Sequence, residues 1–509
     1  MAISHHQFNG YRFIRFSVDT PILKNESQVV FYQFDNASAN YFTVPGENQP
    51  YKLCFSSCNG LPDDSPPEQT LHGIQPLWND ILKEHLVSPF HGQLGGGDQI
   101  YCDGVWRLPT LKEWLDINQK KVRLAAEYSK SMLDEVEQYY FKSYYNHFQT
   151  PNFKQALAMI PFNFTWDDHD IFDGWGSYPH ELQQCPVFQG VYRAAERFYY
   201  TFQQHSNVEL NKDEDIGVNS LSSVRYYGKE LVVLTPDARS ERTLKNVVSP
   251  ESWLAMFTAL DKIPSSVKNL IVNLTIPLAY PRLGGEQLFS FAGSVVSLTS
   301  KALKKFDSVS SVNSQESFEN SIVYKKLLNE FGEPSLLDDL NDHWTNNYHI
   351  EERDMLVHEL QNLSKTKSIR VSFLSGDVHL AAAYKFKSNA VLNIYPERDF
   401  RLMYQIVSSA IGNKPPPNMI VKQLEKSTKE LQLDANTTEL QHQCFFEDLN
   451  DKPMKGTAFL ARRNWCCIWF PENRDLVFDL RLERVPWHPE GETKTYRIRI
   501  PELQLNASS

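Results

Sequence analysis

Apolar segments followed at once by polar turns recur along this chain, and this arrangement restricts its fold more than any other feature. The segments with their turns read KLCFSSCNG, LGGGDQIYCDG, ELVVLTPDARS, NLIVNL and IRVSFLSGDVHL. A short apolar run that is rich in β-branched and aromatic residues and bounded by turn residues is typical of a buried strand. Because functional side chains collect where such strands emerge, the sequence predicts a sheet protein with its chemistry at strand ends.

Helical segments alternate with these strands. From Leu111 to Tyr145, apolar residues recur at spacings of three and four without a proline, which favours a helical region. A second helical region is predicted from about Ala292 to Leu363, where the serine-rich SVSSVNSQES indicates an exposed insertion that can shape the rim of a site. The mixture predicts an α/β (α+β) fold.

Three segments are predicted along the 509 residues. Residues 1–50 are a short β-rich segment, in which His5 and His6 belong to an exposed leader. Residues 51–440 form the catalytic domain with the helical insertion at about 292–363. Beyond the chain break KPPPN, residues 441–509 alternate well enough to form a β-rich tail, in which Cys466 and Cys467 point to opposite faces of a strand.

Charge, hydropathy and cysteine content narrow the class of protein. The formal net charge of −11 argues against a nucleic-acid partner. We find no apolar run approaching ~18 residues and no signal-peptide core in MAISHHQFNGYRFIRFSVDT, which predicts a cytoplasmic protein without a transmembrane segment. Seven cysteines are too few for a disulfide scaffold, which favours a reducing compartment.

Three acidic loops carry the strongest chemical signal. In GGDQIYCDG, Asp98 and Tyr101 can be a bridging carboxylate and a phenolate ligand, or else a capping Asp and a core Tyr. In TWDDHDIFDGWG, Asp167 and Asp168 lie beside His169 among other acidic residues. Repulsion between carboxylates so close together is unfavourable without a bound cation, although a solvated loop can have the same composition.

The third loop, SGDVHL, places Asp377 and His379 two residues apart. Positions two apart in an extended segment point to the same side, so both can bind one metal centre. A hydrogen-bonded pair that fixes a turn explains the motif equally well.

Two further sites are weaker. Cys58 ends a strand and can supply a thiolate to a metal. The commoner role of a free cysteine is that of a small, buried hydrophobic residue. TPDARSERT offers Asp237, Arg239 and Arg242 as candidate substrate-binding residues, where an arginine fork can hold the oxygens of a phosphate or complete a structural ion pair.

Considered together and in chain order, these loops resemble the PhoD-type alkaline phosphatase and phosphodiesterase family. The resemblance runs from about Lys52 to Ser409 through CFSSCNG, GDQIY, PFNFTWDDHD, LTPDARSER, DHWTNNYHIEERDML, SGDVH and QIVSSAI. It implies a metallophosphatase four-layer β-sandwich flanked by helices. The chain departs from the family pattern at Asp170, where relatives commonly continue WDDHE, so substrate preference does not transfer.

The resemblance also implies a set of metal ligands. A trivalent iron would take Cys58, Asp98, Tyr101 and His379, and a calcium ion would share the bridging Asp98. The calcium would add Asp168 and Asp377, with Asp167 beside them. Thiolate, phenolate and imidazole suit Fe3+, whereas oxygen ligands suit Ca2+.

The predicted function is hydrolysis of small phosphomonoesters or phosphodiesters by a metal-bound hydroxide at a two-cation centre. His169 would contact phosphate or protonate the leaving oxygen, and Arg239 would orient the phosphate. Two alternatives stay open: a module that binds phosphorylated ligands without turnover, and a phospholipase-like phosphodiesterase. The natural substrate and the oligomeric state are not set by these motifs.

Overall fold

A computed structural model describes residues 2–61, 72–211, 215–282, 329–331, 341–427, 429–471 and 474–505. Most of the helical region predicted between Ala292 and Leu363 lies outside these residues. Its last part is a helix that begins at Ile350 and ends at Lys367. None of the helices in the described ranges is both long and apolar enough to cross a membrane.

Twenty-one strands are described, most of them in two large sheets. In chain order they are β1 Ala2–Phe8, β2 Tyr11–Phe16, β3 Gln28–Tyr32, β4 Asn40–Val44, β5 Leu53–Ser56, β6 Gly92–Gly95, β7 Phe162–Asn163, β8 Ser223–Tyr227, β9 Leu231–Thr235, β10 Asn269–Asn273, β11 Arg370–Ser375, β12 Ala381–Ser388, β13 Met403–Ser408, β14 Glu430–Gln432, β15 Thr437–Gln441, β16 Phe445–Glu447, β17 Pro453–Thr457, β18 Phe459–Leu460, β19 Asn464–Trp469, β20 Leu476–Glu483 and β21 Thr493–Ile500.

The helices lie between these strands along the chain. They are α1 Gln75–Val87, α2 Pro109–Leu115, α3 Lys120–Ala125, α4 Lys130–Phe148, α5 Pro151–Met159, α6 Asp168–Ile171, α7 His180–Gln183, α8 Pro186–Phe202, α9 Val208–Asn211, α10 Pro250–Asp261, α11 Ile350–Lys367 and α12 Asn418–Lys426. Short 3-10 turns lie at Asp103–Arg107, Ala390–Leu392 and Pro396–Arg398.

The first sheet has nine strands in the order β14-β15-β12-β13-β11-β10-β9-β8, with β18 also paired to β12. Within it, β9, β10, β11 and β13 run parallel. The second sheet has the order β21-β20-β19-β5-β6-β7, and β5, β6 and β7 run parallel. Each sheet therefore brings the carboxyl ends of its parallel strands to one edge, as the strand-end prediction requires.

Four layers stack on one another. Between the sheets, Phe55 of β5 packs in one cluster with Val233 of β9 and Ile271 of β10. The outer face of the first sheet packs against α10 and α11, and the outer face of the second sheet against α1 and α5. Helix, sheet, sheet and helix follow in that order, which confirms the predicted α/β sandwich flanked by helices.

The alternation of neighbouring side chains explains the layers. Cys466 lies in the core between the sheets and its neighbour Cys467 lies in the core under α1, as the strand prediction requires. The strands β19, β20 and β21 extend the second sheet by pairing β19 with β5. The predicted domain limits at residues 50 and 440 stay a prediction, and the last segment shares a sheet with the first strand of the catalytic region.

The helical region predicted from Leu111 to Tyr145 consists of three helices, because the chain leaves the helix after Leu115 and again after Ala125, and Ser129 caps the start of α4. One local prediction is wrong. His5 is no exposed leader: it is buried in β1, and its Nδ1 lies 2.9 Å from the carbonyl oxygen of Ser206.

Candidate metal centre

Six loops that follow parallel strands build the site. Cys58 follows β5, Asp98 follows β6, and Asp167 and Asp168 follow β7 in the second sheet. Asp237 and Arg239 follow β9, Asp377 and His379 follow β11, and Ser409 follows β13 in the first sheet. The structure thus gathers residues from both sheets at one edge of the sandwich.

Left-handed backbone at four of these positions points the side chains into the site. Cys58, Asp98, Asp377 and His379 have φ angles of 52°, 55°, 67° and 52°. Such φ values are uncommon for residues with a side chain and concentrate at functional sites. Gly97, with φ of 91°, lets two loops meet, because a Cβ there would lie 2.5 Å from the Cβ of Asp167.

We call Cys58, Asp98, Tyr101 and His379 the thiol cluster. The Oδ2 atom of Asp98 lies 3.4 Å from the Cys58 sulfur and 3.4 Å from the Tyr101 hydroxyl. The Tyr101 hydroxyl lies 3.4 Å from Nε2 of His379. Ligand atoms of Cys58, Asp98 and His379 all lie within 4.8 Å of one another, a separation that suits binding of one metal ion.

Asp98 also belongs to a second group of ligand atoms. Asp98, Asp168 and His169 have ligand atoms within 4.8 Å of one another. One carboxylate is therefore common to both groups, which is the geometry of a bridging ligand. Asp377 lies outside both groups among the described residues, and burial followed by the charges of Asp167 and Asp342 raises its pKa well above the ordinary range.

Burial shapes the electrostatics of the thiol cluster. It raises the pKa of Cys58, Asp98 and Tyr101 well above their ordinary values, and neighbouring acids add to the shift at each. Burial also lowers the pKa of His379 to about 3, which keeps its imidazole neutral. These groups are crowded and desolvated, a setting that a bound cation would relieve.

A second set, which we call the arginine cluster, consists of Asp167, Asp168, Arg239, Arg242 and Asp342. Nη1 and Nη2 of Arg239 donate to the carboxylate of Asp342 at 2.7 and 2.8 Å, and Nε donates to Asp167. Nη2 also lies 3.4 Å from Oδ1 of Asp168. The Arg239 side chain is 0% exposed, so its donors serve these acids, and its predicted contact with phosphate stays a prediction.

Arg242 and Asp237 support the same region. Nε of Arg242 lies 3.0 Å from Oδ1 of Asp342, and Nη2 donates to the Asp342 carbonyl oxygen. Asp237 accepts hydrogen bonds from the Trp166 indole at 2.9 Å and from the backbone nitrogen of Leu221 at 2.8 Å. Both residues have structural partners in these positions, and their predicted substrate contacts are untested.

His169 is the most accessible of the predicted catalytic groups. Its side chain is 22% exposed, and its ring lies 4.5 Å from that of Tyr101. Nδ1 of His169 lies 2.9 Å from Oδ1 of Asp103, which also accepts from the backbone nitrogen of Asp173. Burial lowers the pKa of His169, but the carboxylates of Asp103, Asp168 and Asp98 together raise it well above the ordinary value.

Asp170 connects two of the loops. It is buried and accepts from the backbone nitrogens of Gln99 and Ile100 at 3.3 Å each and from Gln203 Nε2 at 2.9 Å. It also forms a capping box with Asp167 at the start of α6. The acid that departs from the family motif therefore fixes the Asp98 loop to the Asp168 loop.

The sequence reasoning assigned no role to several residues that complete the site. They are Asp103, Asp170, Asp342, Ser409 and Asn413. Ser409 donates to the Cys58 sulfur at 3.1 Å and accepts from the His379 backbone nitrogen at 3.2 Å. Asn413 hydrogen-bonds with Tyr101, which opposes the rise in the pKa of that phenol. Signals were available in IYCDG, DHW and QIVSSAIGN, which lie in or beside the motifs already singled out.

Known proteins similar to this chain agree with that architecture. A family profile described as PhoD related phosphatase matches residues 39–315 and 286–475. A protein of Saccharomyces cerevisiae, described as uncharacterized, is 31% identical over 518 residues that cover 91% of this chain and 71% of the yeast protein.

The solved structure of PhoD extends the likeness to the fold. The structure of PhoD has a TM-score of 0.52 and 15% identity over 92% of this chain and 76% of PhoD. A purple acid phosphatase from yellow lupin (Lupinus luteus) has a TM-score of 0.40 and 10% identity over 90% of this chain and 56% of the lupin chain. The likeness to PhoD is one of fold.

Proposed function

This chain belongs to the PhoD related phosphatase family, and from that premise we propose that it hydrolyses phosphate esters at a centre of two metal ions. The substrate would be a small phosphomonoester or phosphodiester. The net charge of −11 favours a small substrate over a long nucleic acid.

The observation that carries the proposal is the position of Asp98. Its carboxylate is shared by the two groups of ligand atoms, one with Cys58 and His379 and one with Asp168 and His169. Its Oδ1 atom is buried and has no hydrogen-bond partner among the described residues. A buried carboxylate oxygen without a partner is costly, and a metal ion bound between the two groups would satisfy it.

The two halves of the centre offer different ligand chemistry. Cys58, Tyr101 and His379 would hold an Fe3+ ion with Asp98, since thiolate, phenolate and imidazole are ligands that suit iron. Asp98, Asp168 and Asp377 would hold a Ca2+ ion through oxygen alone, with Asp167 behind them. When bound, such cations neutralise charge on phosphate oxygens and activate water.

His169 is the group best placed to touch the substrate. Its ring is partly exposed, and Asp103 fixes Nδ1, so that Nε2 is the nitrogen left to contact a phosphate oxygen or protonate a leaving oxygen. Arg239 acts as a positioning residue, because its guanidinium holds the carboxylates of Asp167 and Asp342.

The first test is the substitution Asp98→Ala, assayed with an aryl phosphomonoester and an aryl phosphodiester. We expect the metal content to fall and kcat/KM to drop by about 10³-fold or more, because loss of even one group that stabilises transition-state charge costs about 10²–10³-fold. Elemental analysis of the purified variant measures the metal directly.

The matched control is Asp80→Ala, which removes another buried acid whose carboxylate accepts from the Trp465 indole at 2.9 Å. It should lower stability while keeping metal and turnover per folded molecule. Wild-type turnover by Asp98→Ala would contradict the proposed centre. Binding of a phosphate analogue without turnover in any metal condition would favour the binding module.

The metal identities have a separate readout. Charge transfer from a thiolate and a phenolate to Fe3+ absorbs visible light. An active protein that contains iron should therefore be coloured, and Tyr101→Phe should shift or remove the band. An active, colourless preparation without iron would be consistent with the proposed hydrolase activity. It would contradict the assignment of iron and show that another cation occupies that position.

A further inference from the structure

A short loop far from the catalytic edge exposes a group of large apolar side chains. We call Val391, Leu392, Ile394 and Tyr395 the apolar tip. Val391 is 89% exposed and Tyr395 is 73% exposed, and every residue from 391 to 398 is exposed. Four large apolar residues within five positions form a local patch rather than scattered surface residues.

The loop beneath the apolar tip is held firmly in place. The buried guanidinium of Arg370 donates to the carbonyl oxygens of Pro396 at 2.7 Å, Asp399 at 2.7 Å and Leu402 at 2.8 Å. The buried carboxylate of Asp399 accepts from the backbone nitrogen and hydroxyl of Ser388 at 2.9 and 2.8 Å. The exposed side chains are thus presented on a fixed base and are not part of a frayed end.

Basic residues lie in this loop, in β12 before it and near the end of α11, and we call them the basic collar: Lys365, Lys385, Lys387, Arg398 and Arg401. The Arg401 guanidinium lies 4.4 Å from the centre of the Phe400 ring, and Lys365 Nζ lies 5.6 Å from it. Residues 385–401 contain four basic residues, Lys385, Lys387, Arg398 and Arg401, and two acidic ones, Glu397 and Asp399. The segment is therefore locally positive in a chain whose net charge is −11.

We propose that the apolar tip and the basic collar dock this protein on an anionic lipid surface. The tip is an exposed loop, which suits insertion between headgroups better than it suits filling a pocket of a partner. Aliphatic side chains beside a tyrosine, with lysine and arginine behind them, form the combination that binds at the membrane interface. The basic collar would supply the attraction to anionic headgroups.

The docking surface and the candidate metal centre lie at opposite ends of β12. His379 precedes this strand and Asn389 follows it, and its eight residues (Ala381–Ser388) separate the two regions. At about 3.4 Å per residue the strand spans roughly 27 Å. Docking would leave the catalytic edge facing the aqueous phase, so binding to lipid and hydrolysis of a soluble ester are separable.

The test is co-sedimentation of the full chain with vesicles of phosphatidylcholine mixed with phosphatidylserine, compared with phosphatidylcholine alone. We expect binding to the mixed vesicles that weakens with salt. The double variant Val391→Ser, Tyr395→Ser should bind at least about tenfold more weakly. Lys387→Gln should weaken binding about fivefold. Both variants should keep the thermal stability and the hydrolytic rate of the wild type.

Two single substitutions at exposed apolar residues elsewhere serve as controls. Leu254→Ser on α10 and Phe31→Ser on β3 should bind vesicles like the wild type. Equal binding by wild type and the double variant, loss of binding in either control, or no vesicle binding at all would overturn the proposal. Self-association that the double variant abolishes, without vesicle binding, would assign the tip to a second copy of the chain instead.

Discussion

The thiol cluster and the arginine cluster share one edge of the sandwich but satisfy their acids in different ways. In the arginine cluster, Arg239 meets the carboxylate of Asp342 at 2.7 and 2.8 Å. In the thiol cluster, the Asp98 carboxylate faces a thiol and a phenol at 3.4 Å each. The acids of the arginine cluster find their positive charge within the chain, whereas the Asp98 carboxylate of the thiol cluster faces a thiol and a phenol whose pKa values burial raises. Under the proposed function, the arginine cluster is a support and the thiol cluster is the place where a cation would bind.

The largest expected effect breaks the support. Arg239→Ala leaves the buried carboxylates of Asp167 and Asp342 without their partner, and removal of one member of a buried ion pair costs about 3–5 kcal/mol. Chemical denaturation should show that loss in the free energy of unfolding. Lys130→Ala removes a highly exposed ion pair with Asp134 and should cost less than about 0.5 kcal/mol.

If both variants changed stability equally, the arginine cluster would not be a support, and the comparison with the thiol cluster would fail. Arg239→Lys sharpens the same test. Lysine keeps the charge but lacks the fork that reaches Asp167 and Asp342 together, so most of the destabilisation should remain.

The second effect separates a ligand from a packing cysteine. Cys58 and Cys466 are both fully buried thiols, but only Cys58 lies beside Asp98. We expect Cys58→Ala to lower kcat about 100-fold and to reduce bound metal, because its loss disturbs the centre at least as much as loss of an outer partner. Metal analysis and steady-state kinetics measure both changes.

Cys466→Ala leaves a comparable space between the sheets and should change stability alone. If the two alanine variants kept the same metal content, the thiol of Cys58 would not be a metal ligand. The proposed iron site would then have no sulfur ligand to distinguish it from the calcium site.

The smallest effect concerns the orientation of His169. Asp103→Asn keeps the shape of the side chain but weakens its bond to Nδ1, so we expect kcat to fall about tenfold while KM and metal content change little. Asp173→Asn alters the acid that lies 3.9 Å from Nε2 and should have a smaller effect on kcat. A larger effect at Asp173 than at Asp103 would show that the opposite ring nitrogen is the one held by a carboxylate.

Much of this architecture is predictable because the signals are local. Alternating or continuous apolar runs predicted β5, β6, β9, β10 and β11, and turn residues with acids predicted where the chemistry would collect. The order of the loops added the family and thereby the sandwich. The periodic stretch at Leu111–Tyr145 predicted helix correctly but not the breaks between its three helices, because apolar spacing persists across short interruptions.

The roles of Arg239 and Asp342 were not predictable in the same way. An arginine near an acidic loop can bind phosphate or neutralise the chain's own acids, and the choice depends on burial and on partners remote in sequence. Asp342 lies about a hundred residues from Arg239, and Ser177 also donates to it at 2.9 Å. Single-sequence periodicity contains no information on such pairings.

The pairing of β5 with β19 has a consequence for how the chain is made. The loop that presents Cys58 follows β5, whose antiparallel neighbour β19 is translated long after it. Until Asn464–Trp469 leaves the ribosome, β5 is without that neighbour and exposes unpaired backbone, which is a template for wrong association. A premature stop after His379 and before β19 would therefore give an aggregation-prone fragment that contains every candidate ligand but lacks a completed sheet to hold them.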